Sequence, residues 1–208
     1  LNALTQIAVQ IRVRLGESLS IIEEHSMPLE QASTASLEAL KAYSDARAAL
    51  YTRGFSAAIP HLQRALAIDQ QFAMAHADLG FFYWNTGQTD LAMEPTLKAY
   101  ELRDRVSERE RFFIHFLYER QVTGNLRKEL ANHEAGAQAY PLDPNGAWGV
   151  MGGWGTRGTG QYERGIQAAQ ECLRLGSKLP FPHEALASHN LSLGRFAEAE
   201  AALRRAAE

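Results

Sequence analysis

AMAHADLGFFYWNTGQTDLAMEPTLKAYEL, residues 73–102, decides how the rest of the chain reads. Apolar residues recur three and four apart on both sides of TGQT (86–89), the period of a helix with one buried stripe. Two helices joined by a tight glycine-containing turn follow from that pattern. Gly80, Ala92 and Ala99 are small enough to let the two helices approach closely, and Leu79, Tyr83 and Leu91 are large enough to fill the space between them.

The same design returns along the chain. SAAIPHLQRALAID (56–69) aligns with DLAMEPTLKAYELR (90–103): Ala58 matches Ala92, Ile59 matches Met93, Ala65 matches Ala99, and Pro60 falls one residue from Pro95. The aligned alanines are 34 residues apart, and so are Gly160 and Gly194. Gly87 to Gly124 is 37 and Gly124 to Gly160 is 36, so the middle unit carries a small insertion. A fixed period of this length, with two helices per period, is the signature of a helical repeat array.

The small–Gly–aromatic arrangement DLGFFY…G…A……A across 78–99 resembles the tetratricopeptide repeat family. The resemblance covers residues 37–208 in about five units, 39–72, 73–106, 110–144, 146–179 and 180–208, with Pro144 of LDPNG closing the third. It implies an all-α fold, a right-handed superhelical solenoid of antiparallel helix pairs. Fidelity varies: Ala46 stands where glycine is usual in the first unit and Leu117 in the third, and the last unit stops at its second helix.

Residues 1–36 lie outside the repeat. LTQIAVQIRVRLGESLSII places Leu4, Ile7, Ile11 and Leu15 on one stripe, an amphipathic helix expected to cap the first unit. A polar connector, EEHSMPLEQASTAS, follows, and Ser36 is suited to cap the helix beginning LEALKAY. The order RVRLGESLS, PLEQASTASLEALKAY, AMAHADLG, KAYELRDRVSERER is similar to the C-terminal tetratricopeptide regions of large bacterial signalling proteins, joined to serine/threonine kinase or transcriptional-regulator domains. A start at Leu rather than Met fits a piece of such a protein.

Composition narrows the function. In 208 residues, 46% hydrophobic and 22% charged, the formal net charge is −3, which argues against direct nucleic-acid binding, where clustered Lys and Arg are needed. One cysteine, Cys172, excludes an internal disulfide framework and multi-thiolate metal sites, and reads as a small apolar filler. No run approaches the ~18–20 apolar residues of a membrane span.

The segment GVMGGWGTRGTG (149–160) contains a formal G-x-G-x-x-G in Gly153, Gly155 and Gly158. A phosphate-cradling loop needs a strand before the first glycine and a helix after the last. Here AYPLDPNGAW precedes it, and in the repeat register the segment is the first helix of the fourth unit, Gly153 at the small position and Gly160 in the turn. Its five glycines, 149, 152, 153, 155 and 158, lose roughly 4–5 kcal/mol relative to alanine, which makes it the weakest helix expected. HEALASH (183–189) is no zinc motif, because His183 and His189 are six apart rather than four. The sequon Asn190-Leu-Ser192 falls in a helix, and the mixed-sign run RDRVSERERF (103–112) reads as a solvated helix start.

No catalytic residues, metal ligands or cofactors are therefore expected. A stack of helix pairs leaves a concave face lined by the first helix of each unit. Counting along those helices brings Tyr43, Arg47 and Tyr51, then Phe81, Trp84 and Asn85, then Tyr118 and Gln121, then Trp154 and Arg157, and finally Glu184 and Ser188 to that face. Aromatics beside Arg and Asn suit anchoring of a peptide or protein partner. The reading is a non-catalytic interaction module, monomeric or weakly dimeric. The alternatives are an intramolecular regulatory arm of an attached domain and, from another class, an enzyme using residues 149–160.

Overall fold

The computed structural model describes residues 34–140, 150–152, 154–176 and 181–207, and, near the N-terminus, residues 6, 7, 9–11 and 13, which are helical; for Trp154 it describes the backbone alone. The described chain is helical and has no strand among the described residues. Its contacts divide it into two compact units, 1–122 and 123–208. The division falls inside 110–144, which the repeat reading treats as one continuous pair.

In the first unit, α1 (Leu37–Arg53) packs on α2 (Phe55–Ile68), and α3 (Ala73–Asn85) on α4 (Thr89–Glu101). A single 3-10 turn, Arg103–Arg105, leads to α5 (Glu108–Tyr118), which ends in a π-turn over Glu119–Thr123. Ser36 caps α1 as expected, its hydroxyl accepting from the Ala39 amide at 3.2 Å. Ser107 and Glu110 form a reciprocal capping box at the start of α5, so RDRVSERERF contains a helix start with both first-turn donors satisfied. Gly87 takes φ 76°, a left-handed backbone that costs a side-chain-bearing residue, and so turns α3 back along α4.

Small residues set how closely the helices approach. Ala58, Ala92 and Ala99 are fully buried, and above Gly80 a Cβ would meet Thr96 of α4 inside van der Waals distance and the Ala92 carbonyl at 3.0 Å. Large residues fill the rest. Phe72, Phe82, Leu62, Ile114 and Leu117 are buried, and Phe55, Phe81, Phe82, Phe113 and Phe116 interlock mostly edge to face, with centroids 5.2–6.4 Å apart.

In the second unit, α6 (Leu126–Ala139) packs on α7 (Trp154–Gly158), α7 on α8 (Tyr162–Arg174), α8 on α9 (Phe181–Ser192), and α9 on α10 (Phe196–Ala206). Val150–Gly152 are helical as well, so the described residues of the glycine-rich segment up to Gly158 are helix rather than loop. Gly153, expected at the small position, and Pro144 lie outside the described residues. Gly155 makes a close approach, since a Cβ there would lie 2.6 Å from the Leu126 carbonyl and 2.8 Å from the Leu130 amide. Cys172 is buried with Met151, Ala169 and Ala185, as a small filler should be.

Of the stripe on the N-terminal helix, the described members Ile7 and Ile11 are each 52% exposed. Leu4 and Leu15 lie outside the described residues. The residue five positions after a turn glycine differs between pairs. Ala92, Gly165 and Ala199 are small, but in α6 it is Glu129, fully buried, with a carboxylate oxygen 3.7 Å from Nε2 of His133.

Candidate functional site

Spacing of four along α1 puts Tyr43, Arg47 and Tyr51 on one face, and the first two meet through a residue the sequence reading did not single out. Asp78 of α3 is buried, and its Oδ2 accepts from the Tyr43 hydroxyl at 2.8 Å and from Arg47 Nη1 at 3.5 Å. Arg47 Nη2 donates to the Tyr51 hydroxyl at 3.2 Å, with the guanidinium 5.7 Å from the ring centroid of Tyr51. Tyr43 rests on Phe72 at 4.9 Å, and Tyr51 is 78% exposed.

The electrostatics follow from that order. Burial pushes the Asp78 carboxyl above the usual carboxylate range, and the Arg47 charge and the Tyr43 and Arg47 hydrogen bonds only partly offset it. Burial and the adjoining Asp78 charge push the Tyr43 phenol well above its ordinary value, so it stays a donor. Burial disfavours the Arg47 charge, but Asp78, Tyr43 and Tyr51 together hold its pKa above the ordinary value. Its side chain keeps 42% of its surface exposed. The result is an arginine fixed from behind, with a free edge toward solvent.

The neighbouring expected residues divide by how far packing consumes them. Trp84 is half-buried on α3, and Asn85 is exposed, its amide donating to the Phe81 carbonyl at 2.8 Å. Phe81 was expected away from the core, but its half-buried ring packs against Phe55, Phe82, Phe113 and Phe116. Tyr118 stacks on Tyr100 with centroids 3.8 Å apart, and the Arg103 guanidinium sits 4.2 Å from the Tyr100 centroid. Gln121, in the π-turn, accepts from the buried Thr96 hydroxyl at 2.5 Å.

In the second unit Arg157 and Glu184 are exposed and Ser188 is half-buried, while the Trp154 side chain lies outside the described residues. A separate groove of about 400 Å³ runs between α8, α9 and α10, with Ile166, Leu186 and Ala202 as floor and Arg195, Glu198 and Arg205 at its edge. Asn190 of the sequon is buried, its amide donating to the Leu186 carbonyl at 2.9 Å, a placement closed to modification. No group of three or more His, Cys, Asp or Glu side chains suited to a metal ion occurs among the described residues, and no described helix is long and apolar enough to cross a membrane.

Comparison with solved structures fixes the architecture. The chain is similar to PilW, a widely conserved type IV pilus biogenesis factor, with a TM-score of 0.62 and 15% identity over 83% of this chain and 77% of that one. It is similar to TTC0263, a thermophilic tetratricopeptide protein of Thermus thermophilus, with a TM-score of 0.59 and 18% identity over 81% and 89%. MamA from Desulfovibrio magneticus follows with 0.51 and 17% over 82% and 94%. The fold is all-α and tetratricopeptide-like. No protein-family model and no curated protein matches the chain.

Proposed function

We propose that the chain is a non-catalytic module that holds a protein or peptide partner on the surface lined by the first helix of each pair. The observation that carries this reading is the Tyr43–Asp78–Arg47–Tyr51 ladder. A buried carboxylate is costly, and here it fixes the orientation of an arginine whose outer edge faces solvent beside an exposed tyrosine. Such a pre-oriented cation suits a partner's carboxylate or backbone carbonyls, and Trp84 and Asn85 on α3 extend the surface. The remaining edges of Phe81, Tyr118 and Gln121 are proposed as its margin, and Arg157, Trp154, Glu184 and Ser188 are proposed as partner contacts of the second unit taken by itself. A place within a larger bacterial signalling protein is part of the same proposal and rests on the sequence resemblance.

The test is a capture experiment with the wild-type chain and two variants, Arg47→Ala and Trp84→Ala, each checked for helix content by circular dichroism. A partner held by the wild type and lost by both folded variants supports the reading. Equal capture by all three, with the same partners, sinks it.

A further inference from the structure

The last helix pair meets the one before it through a histidine. His189 on α9 is fully buried, and its Nε2 lies 2.7 Å from the Met151 carbonyl oxygen. The ring covers Gly165 of α8, where a Cβ would lie 2.6 and 2.7 Å from the ring carbons Cδ2 and Cε1, so glycine alone admits it. The Tyr162 ring closes another side, with centroids 6.1 Å apart.

A carbonyl partner requires Nε2 to carry the hydrogen, which leaves Nδ1 as a bare acceptor. Nδ1 is buried and has no hydrogen-bond partner among the described residues. A neutral ring tolerates an idle lone pair at modest cost. A protonated ring adds a buried charge and an N–H with no acceptor among the described residues, which costs much more. The groups facing it do not relieve that cost. Arg157 of α7 acts on the ring with the same sign, Tyr162 of α8 contributes a ring face, and on the α10 side Arg195 is committed to Glu163 at the exposed edge.

We propose that His189 makes the α9–α10 pair acid-releasable: neutral, it locks the pair onto α8 and the helical segment at Met151, and protonated, it ejects the pair from that seat. The second helix pair contains the internal control. Phe82 stands five residues before the turn glycine Gly87, as His189 does before Gly194, and it is buried against Phe55 of the preceding pair. The same place in the repeat therefore accepts a ring that cannot titrate.

The direction of the pH effect is fixed by burial, which pushes the imidazole below its ordinary value; the Met151 hydrogen bond opposes this and Arg157 adds to it. Above the ordinary imidazole value both docked and released states are neutral, and the lock is at full strength. As pH falls below it, the released state takes up a proton that the docked state resists, so docking weakens until the docked ring also titrates.

Cys172 reports on the event. It is the chain's one cysteine and is buried against Ala185 of α9, so undocking uncovers it. Labelling by a dithiodipyridine, which reacts in acid, is compared at about pH 7.5 and about pH 5, with each rate divided by that of the urea-unfolded chain at the same pH. The expected result is a protection of Cys172 that falls at least about tenfold on acidification in the wild type and stays within about twofold in His189→Phe. Unchanged protection in the wild type, or an equal fall in His189→Phe, overturns the proposal. Should His189→Phe not fold, nitrogen NMR of the wild-type imidazoles decides: a neutral Nε2–H ring that persists to lower pH than the exposed histidines supports the lock, and a ring titrating with them overturns it.

Discussion

Gly80 and Thr96 face each other so closely that the Thr96 hydroxyl occupies the space a side chain on Gly80 would need. The Thr96 side chain is fully buried there and donates onward to Gln121, so it cannot swing aside without breaking that bond. Gly80→Ala is therefore expected to destabilise the first unit by about 1–3 kcal/mol despite the better helix propensity of alanine. Removing the obstructing hydroxyl in Gly80→Ala/Thr96→Ala should recover part of that loss. A double-mutant cycle in urea gives the answer, and additive losses would mean that the two residues do not share the space.

Two glycines in the glycine-rich segment should respond with opposite signs. Gly152 is exposed and helical, with open space where a Cβ would go, so Gly152→Ala should stabilise by about 0.8–1 kcal/mol. Gly155 is buried against backbone atoms of Leu126 and Leu130, which cannot yield as a flexible side chain can, so Gly155→Ala should destabilise by about 1–3 kcal/mol. Chemical denaturation of both variants checks the pair. A gain from Gly155→Ala would remove the close approach of α6 and α7.

What the sequence made legible was what repeats. The 34-residue offset, the small residues at Ala58, Ala92 and Ala99, and the cap at Ser36 all depend on local pattern, and the structure has them in place. Ser107-Glu-Arg-Glu110 is equally local: the run reads as a helix start, and the structure adds the reciprocal capping box that begins it. The candidate site was harder. Asp78 reads as a surface residue until α1 and α3 are side by side, because its partners Tyr43 and Arg47 lie 35 and 31 residues away. Counting along the helix puts Phe81 on the open face, and only its ring partners on other helices, Phe55, Phe113 and Phe116, place it against the core. The π-turn at Glu119–Thr123 is a matter of hydrogen-bond register, which side-chain periodicity does not encode.

The capping box gives a simple local test. Ser107 accepts from the Glu110 amide, and the Glu110 carboxylate accepts in turn from the Ser107 amide at 2.9 Å. Ser107→Ala should lower stability by about 0.5–2 kcal/mol. Hydrogen exchange should show the loss first in the opening turn of α5. An unchanged exchange rate at Glu110 would mean that the cap contributes nothing to helix stability.

Asp78 carries the last prediction, one of sign. Because burial raises its pKa, folding favours the protonated carboxyl, and its contribution to stability is complete below the unfolded value of about 3.9 and declines as pH rises through the folded value. Asp78→Asn cannot titrate, so the stability of the wild type minus that of the variant should grow as pH falls from neutral toward about 4. The variant's absolute effect at neutral pH mixes relief of a buried charge with loss of the Arg47 partner, and the slope separates the two. Urea unfolding of both chains across that range measures it. A difference that shrinks on acidification would mean that Arg47 and Tyr43 stabilise the carboxylate by more than burial costs, and that the ladder is an ordinary ion pair.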